Sequence, residues 1–269
     1  MLNLESSKFL GKKELSEIAP SIFTMKPANT VSDKYTHIPT ERVIDDMELM
    51  GWKPVDAKEV KARTEDTRGV QKHLVIFRNN DVVINGEDGD TVFPQILITN
   101  SHDGKNAFQF TAGLFRMICE NGLIISTKQF GATKVRHMGY DFETLQGVIK
   151  NIITNLDLTV ESMNKMKETE LNEEQVFKFA KSLLTLRVRD GKNTFGDDAV
   201  LDVLQTQRKE DSGFGLWETF NRVQENIVEG NFKYITPNGK LRQARPIKNF
   251  RQDMDINAKM YEEALTFAA

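Results

Sequence analysis

The stretch Val92–Thr99, with the sequence VFPQILIT, and the polar residues NSHDGKN at 100–106 decide the fold of this chain. The apolar side chains of Val92–Thr99 predict a strand that is buried on both faces. His102-Asp103-Gly104 then supplies turn residues, because Asp and Gly favour tight turns. Ala107–Phe110 begins a further strand, so the stretch predicts two neighbouring strands joined by a tight turn.

The residues before this stretch predict an arm, a helix and two more strands. Residues 1–35 form the arm, and a helix is expected from Thr40, a residue favoured at N-caps, to Gly51, where a glycine would end it. Val55–Arg63 and Gln71–Arg78 are short runs typical of strands, and the polar residues between them predict a hairpin connection.

After Phe110 the pattern changes from extended to helical. Thr111–Glu120 predicts a helix, and from Asp141 onward apolar residues recur at helical spacing, although residues 231–251 are predicted to be irregular. Asn172 with Gln175 predicts a capping box at the start of one of these helices, and Gly230 is expected to end another. The expected fold is therefore α+β, with an antiparallel sheet and flanking helices in the N-terminal half and a largely helical C-terminal half. The predicted divisions are 1–35, 36–140 and 141–269, with one continuous domain as the alternative.

The composition is that of a globular protein with an ordinary core. The chain has 269 residues, 39% of them hydrophobic, and a net charge of −3. This mild acidity excludes a polycation that binds nucleic acid through its overall charge, so any contact with nucleic acid must come from local basic patches. No run approaches the roughly 18 apolar residues of a membrane helix, no secretory signal is visible, and Cys119 is the single cysteine. These features predict a cytoplasmic protein without an internal disulfide.

Candidates for catalysis or metal binding are few. The only plausible ligands or bases are His73, His102, Asp103, Cys119 and His137, and their spacing fits no common zinc, iron or metalloprotease motif. Cys119 and His137 could form a nucleophile and a base in principle. However, a cysteine on the apolar side of a helix is by default an inert buried thiol. The sequence therefore predicts a protein that is not an enzyme and has no metal or cofactor.

Clustered cations are the features that best indicate a function. One group lies on the predicted hairpin of residues 55–78, and the other lies in the acid-free segment 240–251, which is able to follow a phosphate backbone. Aromatic residues near the second group could stack on unpaired bases. The predicted nucleic-acid-binding residues are Lys61, Arg63, Lys72, Arg78, Arg242, Arg245, Lys248, Arg251, Tyr234 and Phe250. The alternative for each group is solvated surface charge without a ligand.

Several short motifs occur along the chain. They are Ala19–Ser21, Tyr35–Thr40, Lys72-His73, Asn100–Gly104, Asn121-Gly122, Arg136-His137, Arg208–Asp211 and Trp217–Asn226. In this order they resemble the phage/plasmid-like protein family called domain of unknown function nine-three-two. The resemblance implies a mobile-element context, with action on DNA or against host systems in a bacterial cytoplasm, and it assigns no catalytic residue.

A second, topological resemblance concerns the N-terminal part of the chain. A helix after Thr40, then antiparallel strands and a long helix, is similar to the annealing domain of Rad-fifty-two-like recombinases. That resemblance implies a ring-forming oligomer with single-stranded DNA in a basic groove. The leading hypothesis is thus a phage or plasmid protein that binds and anneals single-stranded DNA without catalysis. The alternatives are an inhibitor that binds a host defence protein, and a hydrolase or nuclease that uses His73, His102 or His137.

Overall fold

The computed structural model describes residues 9–33, 35–62, 64–85, 91–116, 122–123, 133–135, 141–154, 156–188 and 193–268. Contacts between residues divide the chain into two compact units. The N-terminal unit contains the described residues from 9 to 122 and from 133 to 156, and the C-terminal unit contains Leu123 and those from 157 to 268. Within these ranges no helix is long and apolar enough to cross a membrane.

An antiparallel sheet forms the centre of the N-terminal unit. Its described strands are β1 Lys53–Glu59, β2 His73–Arg78, β3 Ile84–Asn85, β4 Thr91–Asn100, β5 Phe108–Arg116, β6 Gly122–Leu123 and β7 Thr133–Val135. They run in the order β1-β2-β4-β5-β6, with β3 paired to β4 and β7 paired to β5. His73 faces Asn100 at one end of the ladder between β2 and β4. The expected antiparallel sheet in the N-terminal half is confirmed.

Helices cover one face of this sheet. They are α1 Lys12–Ile18, a 3-10 turn at Pro20–Phe23, α2 Thr40–Leu49 and α3 Phe142–Thr154. Val75 and Phe77 of β2 point to the same side because side chains alternate along a strand. They belong to one buried cluster with Ile44 of α2 and Leu145 of α3. Each such burial contributes about 1.5–3 kcal/mol, so this apolar layer holds the helices on the sheet.

The strand after the turn at residues 102–104 continues into residues that were predicted to form a helix. β5 continues to Arg116, so the prediction of a helix from Thr111 is wrong for the residues up to 116. The residues from Gln109 to Arg116 pair with those of β4 from Thr99 back to Val92. The ladder offered by this long neighbouring strand outweighs local helical spacing, because strand preference is set largely by cross-strand context.

Two boundaries near α2 also differ from expectation. Pro39 occupies the N-cap position and Thr40 is the first residue of α2, so the Thr40 hydroxyl does not cap the helix. β1 ends at Glu59, and Lys61 therefore lies beyond the strand on which it was predicted. Gly51 adopts a φ of 81°, which agrees with its predicted role at the end of the helix.

Helices dominate the C-terminal unit, as predicted. The described helices are α4 Leu156–Glu168, α5 Glu173–Val188, α6 Asp197–Val203, α7 Leu216–Glu229 and α8 Phe250–Phe267. The predicted capping box before α5 is present, since the Asn172 N–H donates to Gln175 Oε1 at 2.9 Å and the Gln175 N–H donates to Asn172 Oδ1 at 2.9 Å. Aromatic pairs fill the core, including Phe220 of α7 and Tyr261 of α8, with ring centroids 6.2 Å apart.

The prediction that residues 231–251 are irregular is wrong for two short strands, although residues 244–249 form no helix or strand. β8 Lys233–Ile235 and β9 Leu241–Gln243 form an antiparallel hairpin in which Tyr234 faces Arg242. The connection includes Asn238-Gly239, and Asn-Gly is a strong hairpin signal. The strands were missed because three residues fall below the length at which alternation identifies a strand.

Candidate nucleic-acid interface

Several described motif residues of the N-terminal half meet in one buried network around His73. Ser21 Oγ lies 3.0 Å from His73 Nδ1, and Thr40 Oγ1 lies 2.8 Å from His73 Nε2. Asn100 Nδ2 donates to Thr40 Oγ1 at 2.9 Å and to the Ile38 carbonyl oxygen at 3.1 Å. The network therefore joins the 3-10 turn, the start of α2 and the ladder end of the sheet.

The partners of His73 define its tautomer. Nδ1 lies 3.2 Å from the Gln71 carbonyl oxygen, which can only accept, so we assign the ring proton to Nδ1. Nε2 then accepts from the Thr40 hydroxyl, whose oxygen in turn accepts from Asn100. Burial lowers the pKa of His73 to about 4 because desolvation disfavours the charged form. The ring is therefore neutral at pH 7.

His102 extends this network along the turn after β4. Its Nδ1 lies 3.0 Å from His37 Nε2, and its ring centroid lies 5.2 Å from that of His73. The Ser101 hydroxyl donates to Asp103 Oδ1 at 2.7 Å. This bond closes the tight turn that the sequence predicts after β4, because Asp side chains stabilise turns by bonding locally.

The histidine network is a structural feature in the described residues. His73 and His102 are fully buried, so their ring nitrogens have no access to a substrate in solution. Nor does any group of three or more His, Cys, Asp or Glu side chains, within the described ranges, lie where it could hold a metal ion. Cys119 and His137, the predicted nucleophile and base, lie outside those ranges. Buried polar groups are costly unless they are hydrogen-bonded, and the network meets that requirement for His73.

The motifs of the C-terminal half meet around Arg222 of α7. Its Nη1 donates to the carbonyl oxygens of Asp211 at 2.9 Å and Gly213 at 2.6 Å, and burial lowers the pKa of the guanidinium. Asn226, one turn further along α7, donates to the carbonyl oxygen of Gln205 at 2.8 Å. This face of α7 therefore holds the preceding loop in place, and Arg222 and Asn226 contact protein carbonyls.

The predicted cations of the N-terminal unit occupy different environments. They are Lys61, Arg63, Lys72 and Arg78. Lys61 is exposed, Lys72 is half-buried and Arg63 lies outside the described residues. Arg78 is buried, and its guanidinium lies 5.0 Å from the ring centroid of Phe93 and 5.8 Å from that of Phe9. Arg78 therefore places its charge against two aromatic rings, an arrangement that cation–π attraction stabilises.

The predicted residues of the C-terminal unit come together at the β8–β9 hairpin. Tyr234, Arg242 and Arg245 line one cavity of about 450 Å³. Tyr234 and Arg242 are opposite each other in the hairpin register, so their side chains lie on the same face. Arg187, in the last turn of α5, also lines this cavity and donates from Nη2 to the Arg245 carbonyl oxygen at 3.1 Å. We call this cavity the arginine pocket.

The arginine pocket combines cationic and apolar walls. Besides the three arginines and Tyr234, its lining residues are Val188, Asn193, Phe232, Gln243 and Ala244. Val188, Phe232 and Ala244 are buried, and no acidic residue is among the described lining residues. The lining side chains that the structure describes therefore contribute positive charge and no negative charge to the cavity. The volume lies in the range of about 300–1,000 Å³ that is typical of sites for small ligands.

Hydrogen bonds hold the hairpin that carries the arginine pocket. Thr194 and Ile235 exchange two backbone bonds, at 2.9 Å and 2.7 Å. Gln243 Nε2 donates to the carbonyl oxygens of Gly230 at 2.6 Å and Phe232 at 3.0 Å. Such bonds fix the positions of Tyr234 and its neighbours before any ligand arrives, which lowers the entropic cost of binding.

The remaining predicted residues follow the hairpin along the chain. Lys248 is exposed. Phe250 and Arg251 form the start of α8, and their side chains lie outside the described part. No sequence pattern points to Arg187, which lies in a helix with the ordinary apolar spacing of a core element. Only the hairpin's position beside the end of α5 makes it part of the pocket.

Comparison with known protein families identifies the chain. It belongs to the family described as Domain of unknown function (DUF932), whose model matches residues 27–264. The resemblance predicted from the ordered motifs is therefore confirmed. The motif residues on β2, β4 and α7 lie at the centres of the two buried networks described above.

Two relatives from Escherichia coli (strain K12) are similar over almost the whole chain. UPF0380 protein YafZ is 28% identical over 257 residues, which cover 94% of this chain and 89% of the relative. UPF0380 protein YfjQ is 27% identical over 262 residues, which cover 96% of this chain and 91% of the relative. No solved structure matches the chain.

Proposed function

We propose that this protein binds single-stranded DNA and promotes strand annealing for a phage or plasmid, as an oligomer and without catalysis. The observation that carries the proposal is the arginine pocket, where Tyr234, Arg242 and Arg245 line one cavity with Arg187. Guanidinium groups suit phosphate because their planar N–H forks match its oxygens. A tyrosine beside them offers a face on which any base can stack.

The chain on either side of the pocket extends the basic surface. Residues 240–251 contain Lys240, Arg242, Arg245, Lys248 and Arg251 and no acidic residue. A strand bound there would exchange its counterions for these cations, which is the main driving force for sequence-independent binding. Phosphate neutralisation also lowers the repulsion between two complementary strands, and this is the physical basis of the proposed annealing.

The direct test is a fluorescence anisotropy titration of a labelled single-stranded oligonucleotide at low salt. The double variant Arg242→Ala/Arg245→Ala is expected to bind about tenfold or more weakly than the native protein, because charge-assisted hydrogen bonds contribute about 1.5–3 kcal/mol each. The matched control is Lys165→Ala/Lys259→Ala, which removes two exposed cations from α4 and α8 of the same unit. Its affinity is expected to stay at the native level.

The two double variants carry the same net charge, so they separate a local site from a general effect of charge. Equal losses of affinity in both would contradict the proposed site, and absence of binding by the native protein would remove the proposal. Native mass spectrometry with and without the oligonucleotide tests the oligomer. A multimer that forms only with DNA supports annealing, whereas an unchanged monomer contradicts it.

A further inference from the structure

The charge density of the arginine pocket exceeds what one internal phosphate needs. Arg187, Arg242 and Arg245 line a single cavity, and no described lining residue is acidic. An internal phosphodiester carries one negative charge, whereas a phosphate monoester carries about −1.5 to −2 at pH 7. Three guanidinium groups around one small cavity therefore match a terminal phosphate better than a link within a strand.

The size and walls of the pocket limit the ligand to about one nucleotide. A volume of about 450 Å³ takes one small molecule and not a run of several nucleotides. Phe232 and Val188 supply buried apolar surface, and Tyr234 stands opposite Arg242 across the hairpin. A base can thus contact apolar and aromatic surface while its phosphate contacts the arginines, which is the usual division of polar and apolar contacts in a small-ligand site.

From these features we infer that the arginine pocket binds a nucleotide with a terminal phosphate, either at the end of a DNA strand or as a free nucleoside monophosphate. In its strand-end form the inference rests on the proposed function. Arg187 and Arg242 are the phosphate-binding residues, and Tyr234 is the stacking residue. Arg187 reaches the pocket from α5 and is oriented by its bond to the Arg245 carbonyl oxygen at 3.1 Å.

The test compares ligands that differ only in the terminal phosphate. One arm titrates the full-length protein with an oligonucleotide carrying a 5′-phosphate, a 3′-phosphate or neither. The other arm titrates it with dAMP or deoxyadenosine in a calorimeter. The native protein is expected to prefer at least one phosphorylated form by about tenfold or more, as one extra charge-assisted contact would give.

Two variants locate the effect. Arg187→Gln and Arg242→Gln are each expected to reduce the preference for the phosphorylated ligand toward one, while Lys259→Ala keeps the native ratio. Arg242 is exposed, so its replacement tests the site even if Arg187→Gln disturbs the end of α5. A thermal melt of each variant checks that the fold is retained.

The outcomes separate this inference from the proposed function. Oligonucleotide binding with no preference for a terminal phosphate, together with no preference for dAMP, overturns the pocket inference and leaves DNA binding intact. Preference for dAMP without any oligonucleotide binding supports the pocket, identifies a free nucleotide as its ligand and removes DNA binding. Failure of every phosphorylated ligand to bind overturns both.

Discussion

Burial couples the ionisation of His73 to folding. Its pKa is lowered from 6.5 to about 4 by burial, so the folded state keeps the ring neutral while the unfolded state takes up a proton. Stability from this group is complete above pH 6.5 and is lost as the pH falls toward 4. At 1.36 kcal/mol per pKa unit, the loss reaches about 3 kcal/mol.

Urea unfolding at a series of pH values between 7.5 and 4 measures this loss. Glu59 and His102 lie near the network, so the contribution of His73 is isolated by comparing the native protein with His73→Gln. The variant is expected to be less stable at pH 7.5 and to show a shallower decline with pH. A parallel decline in both proteins would contradict the assignment. An NMR titration of the His73 ring in the native protein gives the same answer if the variant does not fold.

The sequence identified the residues of the network but not their partners. Ser21 and His73 are separated by 52 positions, and Thr40 and Asn100 by 60. All four residues lie in the motifs that match the family in order, and all four have side chains that can form hydrogen bonds. Which polar groups become neighbours depends on how the 3-10 turn and α2 pack on the sheet. The spacing of residues along the sequence carries no information about this packing.

Gly230, between α7 and β8, lies against the backbone of the chain that follows β9. Its φ is 75°, and a Cβ at this position would lie 2.8 Å from the Arg245 carbonyl carbon and 2.9 Å from the Ala244 carbonyl group. Both neighbours are backbone atoms, so they cannot rotate away as a side chain would. The glycine at the end of α7 therefore lets the chain after β9 approach closely enough to place Arg245 in the pocket.

Left-handed backbone costs an L-residue about 1–2 kcal/mol. We expect Gly230→Ala to lower the free energy of unfolding by more than this amount and to weaken oligonucleotide binding. The matched control is Gly239→Ala, which has a similar φ of 71° but open space around its Cβ. Thermal melts and anisotropy titrations of both variants measure the difference. If both lose the same stability and keep native affinity, then close backbone contact at Gly230 does not shape the pocket.

At the level of elements, sequence patterns predicted helices and strands correctly where local signals are strong. They were wrong where contacts with neighbouring strands determine the structure. The strand Val92–Thr99, the α5 capping box and the end of α7 at Gly230 were all predicted. The start of β5 was predicted but its extent was not, because its residues from Thr111 carry helical spacing and acquire strand structure by pairing with β4. The β8–β9 hairpin was missed although Asn238-Gly239 signals its turn, because its strands are too short to show alternation.

At the level of the whole molecule, the proposed binding of DNA has to be local because the net charge of −3 repels a polyanion at long range. The sequence predicted the cations of segment 240–251 but could not predict a pocket. Arg187 and Arg245 are 58 positions apart and meet only through the fold. The composition therefore determines the sign of the protein's electrostatic field at long range, while the tertiary structure determines where cations are close enough together to bind a phosphate.

This balance predicts a moderate dependence of DNA binding on salt. If three or four of the cations near the hairpin contact phosphates, the plot of log K against log salt should have a slope of about −2 to −3, since each contact contributes roughly −0.7 for single strands. Arg242→Ala/Arg245→Ala should make the slope shallower by about 1.4, whereas Lys165→Ala/Lys259→Ala should leave it unchanged. Anisotropy titrations at several potassium chloride concentrations give all three slopes. A slope near zero for the native protein would mean that stacking alone drives binding. An equal change of slope in both variants would mean that the total charge of the protein, rather than the arginine pocket, binds the strand.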